Sequence, residues 1–145
     1  MIIADSMLGK LSRYLRMIGY DVEYINSDKD DSYIISLSEN NLILTRDKEL
    51  HERAKDSILI RSFNSIDQLE ELKGKLPPPS HRFMETCSIC GTVLDRVDTR
   101  DNLPDYVNKE AREIFHCNKC DKFFWDGSHT RNFRKMLERI GIEVQ

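Results

Sequence analysis

The 145-residue chain has no apolar run approaching the roughly 18 residues that a membrane-spanning helix needs. Asp5, Lys10, Arg13 and Arg16 interrupt its first apolar stretch, so no secretory leader is expected there. A G-x-G-x-x-G run and a P-loop are both missing, which leaves nucleotide-cofactor chemistry without support. There is no internal repeat and no low-complexity segment. Excess positive charge is also lacking: 22 Lys and Arg face 25 Asp and Glu, a net charge of −3, so bulk polyanion binding is not encoded. Cysteine is absent from the first 86 residues. A chain of this length buries a sizeable core without disulfide staples. With 39% apolar residues it is too apolar for disorder. One domain, or one domain with a small appendage, is expected in the cytoplasm.

The charge is nevertheless unevenly placed. Ser6 to Tyr20 contains no acid, while Lys10, Arg13 and Arg16 recur every three residues. Arg131, Arg134, Lys135 and Arg139 face only Glu138 in the stretch that they bound. Each stripe alone reads as a solvated helix face. Two such stripes beside an acidic cluster would suit a phosphate backbone.

Strands and helices alternate in the first part of the chain. Met1–Asp5 reads as a buried strand ending in an acid. Leu8, Leu11, Leu15 and Ile18 share one helical face, and Gly19 stops that helix. Val22–Ile25, Leu42–Thr45 and Ser57–Ile60 are further strands; Asp30–Glu39, Asp47–Lys55 and Ser65–Leu72 are further helices. This rhythm predicts an α/β fold, a parallel sheet covered by helices, over residues 1–76. Pro77, Pro78 and Pro79 then end the pattern and predict a stiff extended spacer. Residues 83–127 carry cysteines, aromatics and turn residues. Residues 128–145 read as a helix capped by Ser128, with Phe133, Met136, Leu137 and Ile140 on an apolar face that packs back on the first part.

The four cysteines form two C-x-x-C pairs, Cys87/Cys90 and Cys117/Cys120, separated by 26 residues. Such a turn puts two thiolates on one side of a tight knuckle, and two facing knuckles complete a tetrahedral zinc site. Disulfides are disfavoured without a secretory leader. A redox C-x-x-C normally occurs once, at a helix start. With all four positions filled by protein the site is structural, and iron is the rival metal. Asp95 to Asp105 suits a loop within this ribbon.

Asp5 ends the first strand and Asp47 follows the third. In parallel α/β sheets ligands sit at the carboxyl ends of the strands. A third carboxylate comes from Asp28, Asp30 or Asp31. Such a cluster needs a counter-charge, which Mg²⁺ or Mn²⁺ supplies through oxygen ligands, and that metal would promote attack on a phosphodiester. Each acid also has a plain alternative, since Asp47 is well placed to cap its helix and Asp30 and Asp31 are ordinary first-turn acids. Aspartyl-phosphate chemistry at Asp5 is not supported, because Met7 stands where a second acid would be needed. Lys10, Arg13, Arg16 and Arg46 are candidate phosphate contacts. His129 is a candidate substrate contact or proton-transfer group, and Trp125 a candidate base-stacking ring. A tight turn at Gly127 is the plainer role for that last segment.

Asp5-Ser-Met-Leu-Gly-Lys-Leu-Ser-Arg-Tyr-Leu-Arg16, Gly19-Tyr-Asp21, Leu44-Thr-Arg-Asp47, the two C-x-x-C knuckles and Trp125-Asp-Gly-Ser-His129 together resemble, in order, the Mut-seven C-terminal ribonuclease domain family. The resemblance implies a PIN-like nuclease fold fused to a zinc ribbon. It also implies metal-dependent hydrolysis of single-stranded RNA, leaving 5′-phosphate and 3′-hydroxyl ends. Asp5 and Asp47 carry over directly, and Asp31 matches the middle acid better than Asp30. No fourth acid matches, which favours one metal over two. That gap keeps a non-catalytic RNA-binding module, or a protein-interaction adaptor using the ribbon, as the alternatives. PIN-like folds often pair, so a homodimer is compatible with the resemblance.

Overall fold

Four short runs of aliphatic residues set the sheet. The computed structural model describes residues 1–26 and 30–145. β1 (Ile2–Ala4), β2 (Val22–Tyr24), β3 (Leu42–Thr45) and β4 (Ser57–Leu59) form one parallel sheet in the order β2-β1-β3-β4. The central strands are buried on both faces, as helices covering a parallel sheet require. Side-chain alternation divides the core. Ile2, Ala4, Val22 and Leu44 pack with α1 (Gly9–Ile18), α4 (Ser65–Leu72) and α5 (Ser128–Arg139). Ile3, Ile25 and Ile43 pack on the other face with Ile34 of α2 (Asp31–Leu37) and Leu50 of α3 (Lys48–Arg53).

The predicted α/β rhythm is therefore present, with α2 and α3 shorter than expected at both ends and α4 kept to its expected span. Asp30 caps α2 by accepting from Tyr33 N at 2.9 Å, and Asn64 caps α4 through Asp67 N at 2.9 Å. Asp28 lies outside the described residues. Ser128 departs from expectation: Gly127 occupies the N-cap position of α5, and Ser128 is the first helical residue.

The segment after the prolines does not hold two parts at a distance. It returns at once to the carboxyl end of α1, whose last carbonyls need partners. His81 N donates to Gly19 O at 3.0 Å, Met84 N to Met17 O at 2.8 Å and Thr86 Oγ1 to Arg16 O at 3.0 Å. Gly19 has φ of 124°, and a Cβ there would lie 2.1 Å from His81 O, so only glycine admits this approach. Against α1, Phe133 of α5 stacks on Tyr14 at 4.6 Å between centroids, and Leu137 is fully buried in the main core.

Beyond this segment, β5 (Asp95–Arg96), β6 (Ile114–Cys117) and β7 (Lys122–Trp125) form an antiparallel sheet. The long connection between β5 and β6 carries its own small core of Leu103, Val107 and Ala111 against Ile114. No helix among the described residues is long and apolar enough to cross a membrane.

Candidate active site and metal centre

The two cysteine knuckles have the same shape. In each, the residue after the second cysteine takes a left-handed conformation (Gly91 at φ 83°, Asp121 at φ 53°) and sends its N–H to the carbonyl of the first, at 2.8 Å in both. A zinc ribbon of this kind wants glycine or a short polar residue there. The four sulfurs lie within 4.8 Å of one another, with Cys87–Cys120 at 4.0 Å and Cys90–Cys117 at 3.6 Å. Tetrahedral zinc with Zn–S bonds of about 2.3 Å places its sulfurs about 3.8 Å apart, whereas a disulfide needs about 2.05 Å. The donor set thus fits zinc. Taken by themselves the thiols resist joint ionisation. Burial pushes Cys90 up, but Thr92 and the neighbouring sulfurs outweigh that and bring it down to about 6. Cys120 is pushed up to about 12, chiefly by its hydrogen bond with Cys90. A divalent cation resolves that conflict by sharing all four charges.

Arg16 joins this centre to the sheet, and its placement corrects the expectation that it grips substrate. It is only 7% exposed. Its Nε and Nη2 donate to Val22 O at 3.0 and 2.8 Å, and Nη1 donates to Ile89 O at 2.7 Å, inside the first knuckle. Burial lowers its pKa while Cys90 and Cys87 hold it up. Each three-residue step falls about 60° short of a full 3.6-residue turn, so Arg16 lies about 120° round α1 from Lys10 and faces the protein. Lys10 and Arg13 remain on the outer face, beside a groove of about 680 Å³ that Tyr14, Tyr24, Ser88 and Ile89 also line.

Asp5 and Asp47 stand just beyond the carboxyl ends of the paired strands β1 and β3. The connection from β1 runs through α1 to β2 on one side, while β3 continues through α3 to β4 on the other. The crevice between β1 and β3 is therefore the topological switch point, where such sheets bind ligands. Asp5 stands there, 6% exposed. Its Oδ1 accepts from Met7 N at 3.0 Å, and its Oδ2 accepts from the Thr45 hydroxyl. Thr45 Oγ1 in turn accepts from Asp47 N at 2.9 Å. One hydroxyl at the end of β3 thus ties the acid after β1 to the acid after β3. Sequence reasoning missed Thr45; the available signal was a polar residue ending the apolar run Leu42-Ile-Leu-Thr45, two places before an acid.

Asp47 also does the plainer job weighed for it: Oδ1 caps α3, accepting from Glu49 N at 2.9 Å and Leu50 N at 3.2 Å. Its side chain is at the surface. Asp31 opens α2 and is exposed. Among the described residues the cysteines are the one group whose ligand atoms converge closely enough to cage an ion; Asp5, Asp31 and Asp47 are not such a group.

Arg46, between Thr45 and Asp47, lays its guanidinium over the Phe63 ring, 4.3 Å from the centroid. His129 is exposed on the first turn of α5, four residues before Phe133, and Lys10 is four residues before Tyr14, on which Phe133 stacks. Gly141 and Ile142 beyond α5 line the same small cavity as Ile18 and Tyr20, so α1 and α5 advance in the same sense. His129 thus lies toward the Lys10 end of α1. Trp125 ends β7, and Thr130 Oγ1 donates to its carbonyl at 3.4 Å, consistent with a turn into α5. Another cavity, of about 710 Å³, opens at the opposite edge of the sheet, against Met1, Asp21, Asn41 and Asp56, away from the acids.

A family model described as the Mut7-C RNAse domain matches residues 1–137. No curated protein and no solved structure matches the chain.

Proposed function

We propose, from the premise that the chain belongs to the Mut7-C RNAse domain family, that it is a metal-dependent ribonuclease acting on single-stranded RNA in the reducing cytoplasm. The observation that carries the reading is the Asp5–Thr45–Asp47 chain of hydrogen bonds at the switch point between β1 and β3. Asp5, Asp31 and the Oδ2 of Asp47 would hold Mg²⁺ or Mn²⁺. When bound, that ion supplies charge neutralisation at the phosphodiester and a more acidic water. Thr45 orients the Asp5 carboxylate, as hydrogen-bonded partners orient metal-binding carboxylates generally. Lys10 and Arg13 line the groove that runs along α1 to the first knuckle and would hold phosphates of the strand. Arg46 flanks the acids from the other side. His129, at the Lys10 end of α1, would contact substrate. Arg16 is assigned a positioning role, locking the first knuckle against β2, and the zinc ribbon a structural one.

One observation favours a second reading, RNA binding without cleavage: Asp47 Oδ1 is already committed to capping α3. A cleavage assay separates the two. Purified protein with Mn²⁺ should cut labelled single-stranded RNA, leaving 5′-phosphate ends, and Asp5→Asn should abolish cutting while retaining RNA binding. Intact RNA in both samples contradicts the nuclease reading and favours the second one.

A further inference from the structure

Phe63 is the most solvent-exposed of the large apolar side chains described, at 87%. An exposed phenylalanine on a floppy loop would need no explanation. This one is held out by a built turn. The buried Gln68 of α4 donates its amide to Ser62 O at 3.0 Å and reaches Phe63 O at 3.5 Å. Glu71 of the same helix accepts from Arg61 N at 3.0 Å and from Ser62 N at 2.7 Å. Asn64 then caps α4. Four consecutive residues are thus fixed by three side chains of one helix or its cap, and the result is a ring directed into water.

The ring has one neighbour of consequence. The Arg46 guanidinium lies on it, and Arg46 Nε is shut off from water with no hydrogen-bond partner. An arginine at the surface normally keeps its nitrogens hydrated or paired. Here part of that hydration is given up to hold a flat cation against a flat ring, next to the acids. β4 lies beside β3, with Ile60 N on Thr45 O at 2.7 Å, so the end of β4, from which the turn bearing Phe63 departs, stands two strand spacings, about 10 Å, from the end of β1 and Asp5. A nucleotide adjacent to a phosphate held at the acids reaches that far.

We propose that Phe63, with Arg46 stacked on it, is a base-stacking platform for a nucleotide flanking the scissile phosphate of single-stranded RNA; the proposal rests on the nuclease reading for its substrate. The free face of the ring takes the base, and the guanidinium offers its remaining N–H groups to the adjoining phosphate. Aromatic stacking of this kind is tolerant of base identity, because every base presents a π-face. The platform therefore fixes the strand across the sheet's carboxyl edge without selecting a sequence. It also demands a single strand, since a paired base is not free to stack.

The test is a fluorescence titration of a short single-stranded RNA containing 2-aminopurine with the full-length chain, without added Mg²⁺ or Mn²⁺. The wild type should quench the probe. Phe63→Leu should remove the quench and weaken binding about tenfold or more, the size of one lost base stack, while Phe63→Trp keeps both. The dependence of affinity on salt should be the same in Phe63→Leu as in the wild type, because stacking releases no counterions. Unchanged affinity and quench in Phe63→Leu would overturn the platform, and a lowered unfolding temperature with unchanged binding would show that the ring only covers Arg46. Quenching that depends on Phe63, in a protein that leaves RNA intact with Mn²⁺, would sink the nuclease reading and keep the platform. Cleavage of RNA together with indifference to Phe63 would do the reverse. No binding of RNA by the wild type would remove both.

Discussion

The cysteine centre and the acid edge are built on opposite plans. Each cysteine pair is local, three residues apart on one turn, and the two turns repeat the same backbone shape. The cage closes around one point, with Cys87 and Cys117 fully buried. The acids come from the ends of different strands, and only the pairing of β1 with β3 brings Asp5 and Asp47 together. Their edge stays open. A closed site stores stability and leaves no position for substrate; an open one leaves room for water and a phosphate. Arg16 ties the cysteine centre to the sheet, binding the start of β2 to the first knuckle.

That contrast can be broken at several points, and the largest effect belongs to the cage. Cys87→Ser should remove zinc and unfold the ribbon, costing roughly 3 kcal/mol or more, because metal binding in such sites is folding free energy. Elemental analysis should give about one zinc per wild-type chain and none in the variant. Retention of zinc and of the unfolding temperature would mean that the cage is not the ribbon's anchor.

At the acid edge the corresponding change should be functional before it is structural. Thr45→Val keeps the shape but leaves Asp5 Oδ2 and Asp47 N without their shared partner. Cleavage should fall about 10–100-fold, as when a hydrogen-bonded support of a metal ligand is lost, with a stability cost of about 1–3 kcal/mol. Full activity in this variant would separate Asp5 from Asp47 and remove the link on which the site is argued.

The basic groove should give a smaller and more specific signal. Arg13→Ala should weaken RNA binding and reduce the slope of log affinity against log salt by about one. Arg16→Ala should instead loosen the ribbon, which limited proteolysis would report, because its donors serve carbonyls rather than phosphate.

The smallest effect concerns the turn that presents Phe63. Burial tends to raise the Glu71 pKa, but its hydrogen bonds to Ser62 and Arg61 outweigh that and hold it below the usual carboxylate value. A depressed folded pKa adds stability above the unfolded pKa and loses it as pH falls through the folded one. Glu71→Gln should therefore be less stable than wild type by a few tenths of a kcal/mol near pH 7, the small size reflecting solvent screening. The gap should close as the pH falls through the lowered Glu71 pKa, where the wild-type carboxyl is protonated as well.

Which features could be read from the chain alone follows the same local-versus-distant division. The strands and helices were legible because their apolar periodicity is local, and the cysteine site because its spacing is. Asp5 and Asp47 were legible as strand-end acids. Arg16 was not, since a basic stripe does not reveal which member the helix turns toward a neighbouring segment 70 residues away. Thr45 and Phe63 were hidden for a related reason. A hydroxyl between two acids and a ring under an arginine acquire meaning only when β1, β3 and β4 lie side by side.

The open edge is tested most directly by a crystal structure of the wild-type chain grown with Mn²⁺ and read by anomalous scattering. A peak within coordination distance of Asp5 and of Asp47 Oδ2, separate from the zinc peak among the four cysteines, is the predicted result. A manganese peak elsewhere, or none at millimolar Mn²⁺, would contradict a catalytic metal at the switch point.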